Sequence, residues 1–145
     1  MIYYALILIF FALAGMCNAI MDTLDHHHDK SIFSKFKRNT MWWNFHEGWR
    51  NKYIDRDPKK GRVKWIGNIN KPVQITDAWH FFKMLMIVFA AASVVIALLN
   101  PHVMYLVKFS DSWNYIANVI LHMLVMGSVR NLTFSLFYNR LLIIS

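Results

Sequence analysis

Residues 1–21 carry no charged side chain, and neither do residues 84–107. Nothing else constrains the fold of this 145-residue chain as strongly. An apolar run of about 20 residues spans a hydrocarbon layer of roughly 30 Å as a helix, at about 1.5 Å per residue. In such a layer the backbone must satisfy its own hydrogen bonds, which selects helix. Composition agrees. Apolar residues make up 57% and charged residues 17%, whereas a soluble domain runs nearer half and a quarter. This excludes a soluble enzyme, a disordered tail and a disulfide-stapled secreted module. Cys17 is the only cysteine, so neither an intrachain disulfide nor a cysteine-based zinc cluster can form.

The pattern predicts an all-α membrane protein, one membrane domain over 1–145, with about three transmembrane helices. The first span is Met1–Met21. Its start lacks Lys and Arg, and Cys17-Asn18-Ala19 makes a poor cleavage site, so it reads as a retained helix and not a signal peptide. The second is Ala78–Leu99, with Thr76 or Asp77 as N-cap, Lys83 snorkelling back to the interface and Asn100-Pro101 as its end or a kink. The third is 112–129, with Ser110-Asp111 before it as the capping signal. Leu132–Ser145 is apolar again but is broken by Asn139 and Arg140 and preceded by Arg130. It reads as a C-terminal interfacial helix or bent extension, not a fourth span. Val103–Val107 is too short to cross.

The net charge is +8, and residues 21–79 hold 12 Lys/Arg against 7 acids. Basic loops between spans face the cytoplasm and are drawn to anionic headgroups. The insert 22–76 is therefore expected inside, with the N-terminus outside and the C-terminus inside. Its centre, Met41 to Tyr53, is aromatic and basic, and its Trp and Tyr suit headgroup depth. A segment of this size cannot hold a large core alone. Asp57-Pro58-Lys59-Lys60-Gly61 is a turn signal that would join Tyr53-Ile54 to Val63–Ile66 as a small hairpin. Aromatics with Lys and Arg can also bind single-stranded nucleic acid. Beside two spans, a membrane-surface role needs fewer assumptions.

At Lys30-Ser31-Ile32-Phe33, Trp49-Arg50-Asn51-Lys52-Tyr53 and Thr76-Asp77-Ala78-Trp79-His80-Phe81-Phe82-Lys83, the chain resembles a set of uncharacterised small integral membrane proteins of Bacteroidetes-type bacteria and their phages. The resemblance covers roughly residues 10–90. It implies a bacterial or phage origin and hence the cytoplasmic membrane, and it brings no activity and no site residues.

Two groups of residues could carry chemistry. If the first helix continues beyond the membrane, Asn18, Asp22, Asp25, His26 and Asp29 share one face. Asp25-x-x-His28 and Asp77-x-x-His80 each set a carboxylate and an imidazole one turn apart. Paired on neighbouring helices, Asp22, Asp25, His26, His28, Asp77 and His80 would suit zinc, iron or manganese, with His46 and Glu47 able to join them. The plainer reading makes Asp77 a helix cap, His80 an interfacial residue and the triple His a solvated run. In the third span Asn114, Asn118 and His122 form one polar stripe. Such side chains are costly toward lipid and should face protein. They read either as interhelical hydrogen bonding, with Asn18 a candidate partner, or as a proton or ion path.

Three functions compete. The first is a non-enzymatic membrane protein presenting a basic, Trp-rich cytoplasmic surface to lipid, to a protein partner or to another copy. The second is a membrane metalloenzyme acting on a lipid at the inner interface. The third is a phage lysis pore, against which the long insert argues.

Overall fold

The computed structural model describes residues 2–36, 40–100 and 113–144. Three long helices dominate. They are α1 (Ile2–His26), α4 (Ala78–Leu99) and α5 (Asn114–Leu136), the last prolonged by a π-helical turn at Phe137–Leu141. All three are long and apolar enough to cross a membrane. Between α1 and α4 lie the short helices α2 (Thr40–Trp43) and α3 (Phe45–Gly48), several 3₁₀ turns, and the two-stranded ribbon β1 (Lys64–Ile66) and β2 (Ile69–Asn70).

Helix α1 is central. Its most apolar window is 39% buried, against 6% for each of the other two. Helices α4 and α5 pack mainly on α1 and hardly on each other. Their outer faces expose Val88, Leu99, Ile116, Ile120, Leu124 and Leu132. A contiguous apolar surface of that kind is stable only against lipid or protein. At one point α1 and α5 come close enough that only glycine fits. A Cβ on Gly15 would collide with the Arg130 carbonyl and sit 3.2 Å from that residue's Cα.

The best-packed core lies at one end of the bundle, not at its middle. Ala19, Ile20 and Leu24 of α1 meet Phe33 of the insert, Ala78 of α4 and Leu142 of the C-terminal tail. Trp42, Trp43, Phe45, Phe82, Phe134 and Tyr138 pack around them. Phe33 stacks on Trp43 at 5.1 Å, and Trp43 meets Trp42 edge-on at 4.7 Å. The insert is thus the lid of the bundle and borrows its core from the helix ends. The tail closes this end as a short antiparallel clip. Ile32 N–H donates to Leu142 O at 2.9 Å, and Ile144 N–H to Lys30 O at 2.7 Å, with Ser31 opposite Ile143. The insert and the C-terminus therefore share one side.

Helix α4 keeps the predicted limits. Asp77 accepts the His80 N–H at 2.9 Å, and Asn100 closes the other end, its side chain donating to Ile96 O. The structure refines three expectations. The first helix continues to His26, so Asp22, Asp25 and His26 are helical, but the chain turns at His27 and Asp29 leaves that face. Of the two forms expected of Leu132–Ser145, residues 132–136 take the extension and not the separate interfacial helix. They continue α5 without a break, because Arg130 and Asn131 interrupt hydropathy but not helical geometry. Tyr53 does pair with Arg62 across the Asp57–Gly61 turn, with Ile54 N–H donating to Gly61 O at 3.0 Å and Val63 N–H to Lys52 O at 2.9 Å. The regular ribbon lies further on, where Lys64–Ile66 pairs with Ile69–Asn70 across Gly67-Asn68, with Gly67 at φ 54°, and a Gly-Asn pair favours a tight hairpin turn. The expected Ser110-Asp111 cap, the start of the third span at 112 and the segment Val103–Val107 lie outside the described residues.

Candidate interfacial site

At the start of α4 the chain reads Thr76-Asp77-Ala78-Trp79-His80, and Asp77 does more than cap. It is 1% exposed. Its carboxylate accepts the backbone N–H of His80 and also the His80 Nδ1–H, at 2.8 and 2.9 Å from the two oxygens. The helix fixes this pairing, because residues three apart lie on one face. A carboxylate can only accept here, so Nδ1 carries the hydrogen and Nε2 is the nitrogen left to meet a ligand. The insert covers the pair. Gly48 of α3 lies so close that a Cβ there would stand 2.7 Å from the Asp77 Cβ. Asn51 anchors the same turn, its side-chain amide donating to Thr76 O at 2.9 Å.

Next to this pair is a cleft of about 420 Å³ lined by Phe45, His46, Trp49, Trp79 and His80. Its walls are locked by ring contacts, Phe45 to Trp79 at 5.4 Å and Trp79 to His80 at 5.1 Å, and by Trp49 Nε1–H donating to His46 O. Cations cover its outer faces. The Lys83 ammonium stands 4.8 Å from the Trp79 ring centre. Lys52 stands 5.6 Å from Trp49 and 5.4 Å from Tyr53. Arg50 lies over Trp49 as well but is paired with Glu47 at 3.0 Å. Among the described residues neither Lys52 nor Lys83 is paired with an acid. Lys83 reaches back one turn toward the helix start, as expected of a snorkelling lysine.

The other candidate ligands stand apart. Asp25, His26, His28 and Asp29 border a second, polar cleft of about 330 Å³, with His46 the residue shared by both clefts. Within that run His28 Nδ1 is 3.2 Å from Asp29, and His26 is 3.9 Å from Asp25. Among the described residues no three His, Cys, Asp or Glu side chains gather in an arrangement that could hold a metal. The expected convergence of Asp22, Asp25, His26 and His28 with Asp77 and His80 is therefore not assembled. The histidine run borders the second cleft, which meets the first only through His46, and Asp77 is engaged with its own His80.

Of the polar stripe on α5, Asn118 and His122 are buried and Asn114 is half-buried. Asn118 is 1% and His122 2% exposed. The Asn118 amide donates to the carbonyl and side-chain oxygens of Asn114, within α5. His122 turns its ring edge toward Tyr4 of α1 at 5.5 Å, so this face is turned to α1. Neither His122 nitrogen has a hydrogen-bond partner among the described residues.

Sequence reasoning found Asp77 and His80 from their spacing but not the cleft. Phe45, Trp49 and Trp79 are far apart in sequence, and only the aromatic density of both segments signalled a joint role. Comparison with protein-family models, curated proteins and solved structures finds no match.

Proposed function

We propose that this chain is a multi-pass protein of a bacterial cytoplasmic membrane whose insert side faces the cytoplasm and holds anionic lipid headgroups. The observation that carries this reading is the aromatic cleft at the start of α4, flanked by Lys52 and Lys83, neither of them paired with an acid among the described residues. Trp at the interface sets the depth of the site, and each lysine near an anionic surface contributes about 1 kcal/mol. His46 adds a hydrogen-bonding group inside the cleft for phosphate oxygens.

The test is lipid retention. The protein is released from nanodiscs holding equal phosphatidylglycerol and phosphatidylcholine and weighed by native mass spectrometry. Phosphatidylglycerol should be retained in excess, and the double variant Lys52→Gln/Lys83→Gln should lose the excess. Equal retention of the two lipids by the unaltered protein would overturn the reading.

A second reading, an enzyme acting on the bound lipid, has one supporting observation. Asp77 orients His80 beside the same cleft in the manner of a general base and its carboxylate partner. Hydrolysis of a labelled anionic lipid by the purified protein, lost in His80→Gln, is its test.

A further inference from the structure

Arg130 is the only charged residue of α5 between Asn114 and Leu136. It lies where α5 crosses Gly15 of α1. From Gly15 to Asp22, where the uncharged stretch of α1 ends, the rise is roughly 10 Å, so the guanidinium starts well inside the apolar layer. It lines a groove of about 580 Å³ whose other walls are wholly apolar, among them Phe11 and Ala14 of α1 and Met86, Ala90 and Val94 of α4. Among the described residues Arg130 has no ion pair, hydrogen bond or aromatic face. A charged group at such depth is costly and marks a site by default.

The counter-ion must come from outside the chain. Across residues 1–21 and 78–145 the only acid is Asp111, which lies outside the described residues and precedes the opposite end of α5. A second copy pressing a span into the groove would thus bring no carboxylate to Arg130. Phe11 and Val94 also line the next cavity, of about 320 Å³, which extends to Leu98 on α4 and to Met123 and Met126 on α5. The two form one largely apolar track beside α4, roughly 18 Å long from Met86 to Leu98, with Arg130 at the end nearer the insert and Ser93, Tyr115 and His122 as the polar residues of its other half.

We propose that this track binds a single long-chain fatty acid, its carboxylate on the Arg130 guanidinium and its chain running past Phe11 toward Leu98. A planar guanidinium matches a carboxylate through two parallel N–H donors. A diacyl phospholipid is held at headgroup level by its phosphate and polar ester region. A fatty acid carries its charge on the chain itself and can follow the arginine inward.

The experiment uses the full chain in phosphatidylcholine nanodiscs and palmitic acid bearing a photoreactive diazirine. Crosslinks should fall between Met86 and Leu98. Palmitate should compete and hexadecanol, its uncharged analogue, should not. Arg130→Gln should lower labelling at least tenfold, and Arg130→Lys should retain part of it. Ala91→Phe, which fills the groove while leaving the arginine, should abolish labelling and decides the matter if Arg130→Gln does not fold. Labelling that is unchanged in Arg130→Gln or Ala91→Phe, or equal competition by hexadecanol, would overturn the proposal. So would Arg130-dependent labelling by a photoreactive phosphatidylglycerol that exceeds that by the fatty acid. Lysine substitutions at 52 and 83 leave this site intact, so its outcome is separable from that of the headgroup cleft.

Discussion

Asp77 joins three roles that are usually separate. It caps α4, it receives an imidazole, and it does both beneath a lid. The chemistry of each role predicts a different response to substitution. Asn caps a helix nearly as well as Asp, so Asp77→Asn should keep the backbone bond and weaken only the charge-assisted bond to His80, at a cost of about 1 kcal/mol. Asp77→Ala leaves both the His80 N–H and its ring without an acceptor, and about 2–3 kcal/mol should be lost. Denaturant unfolding in micelles measures both, and equal losses would show that capping is not what Asp77 supplies. Gly48 gives a steric counterpart. A Cβ there would meet the Asp77 Cβ and, at 2.9 Å, the Met41 carbonyl, neither of which can swing away. Gly48→Ala should therefore lift the insert, destabilise by about 1–3 kcal/mol and shift Trp emission to the red as Trp42 and Trp49 gain water. An unchanged spectrum and midpoint would contradict this packing.

Two glycines within helices separate close approach from mere tolerance. Gly15 faces the Arg130 backbone, whereas nothing stands within 4 Å of a Cβ on Gly127. Gly15→Val should force α1 and α5 apart and cost about 1–3 kcal/mol or more. Gly127→Ala should be neutral or stabilise by up to about 1 kcal/mol, since alanine forms helix better. Thermal aggregation of the two variants in the same detergent checks the contrast. The same comparison shows what a sequence can and cannot reveal. The limits of α4 were readable because local residues set them, Asp77 and Asn100 by capping its two ends. The sequence leaves Leu132–Ser145 open between an interfacial helix and an extension of the third span, because Arg130 breaks the hydropathy without breaking the helix. Neither the crossing at Gly15 nor the cleft between Phe45 and Trp79 was legible, for each depends on segments brought together only by the fold.

The three long helices form a bundle whose main buried cluster, among the described residues, lies at one end. There the ends of α1 and α5, the start of α4 and the insert share one core. The antiparallel clip between Lys30–Ile32 and Leu142–Ile144 has a topological consequence. It binds the C-terminal tail to the insert, so both must lie on the same side, whichever side that is. Charge is what we propose selects the side. The insert carries nearly all the basic residues between spans, 12 Lys/Arg over residues 21–79 against Lys108 in the opposite loop, and basic loops stay in the cytoplasm. Alkaline phosphatase fused after Gly61 or after Ser145 should be inactive, and fused after His102 it should be active. A fluorescent protein that matures only in the cytoplasm should give the reverse at all three sites. Opposite behaviour of the Gly61 and Ser145 fusions would break the clip and with it the architecture. Matching behaviour with both fusions exported would preserve the architecture, invert the orientation, and remove the cytoplasmic leaflet as the source of the anionic lipid.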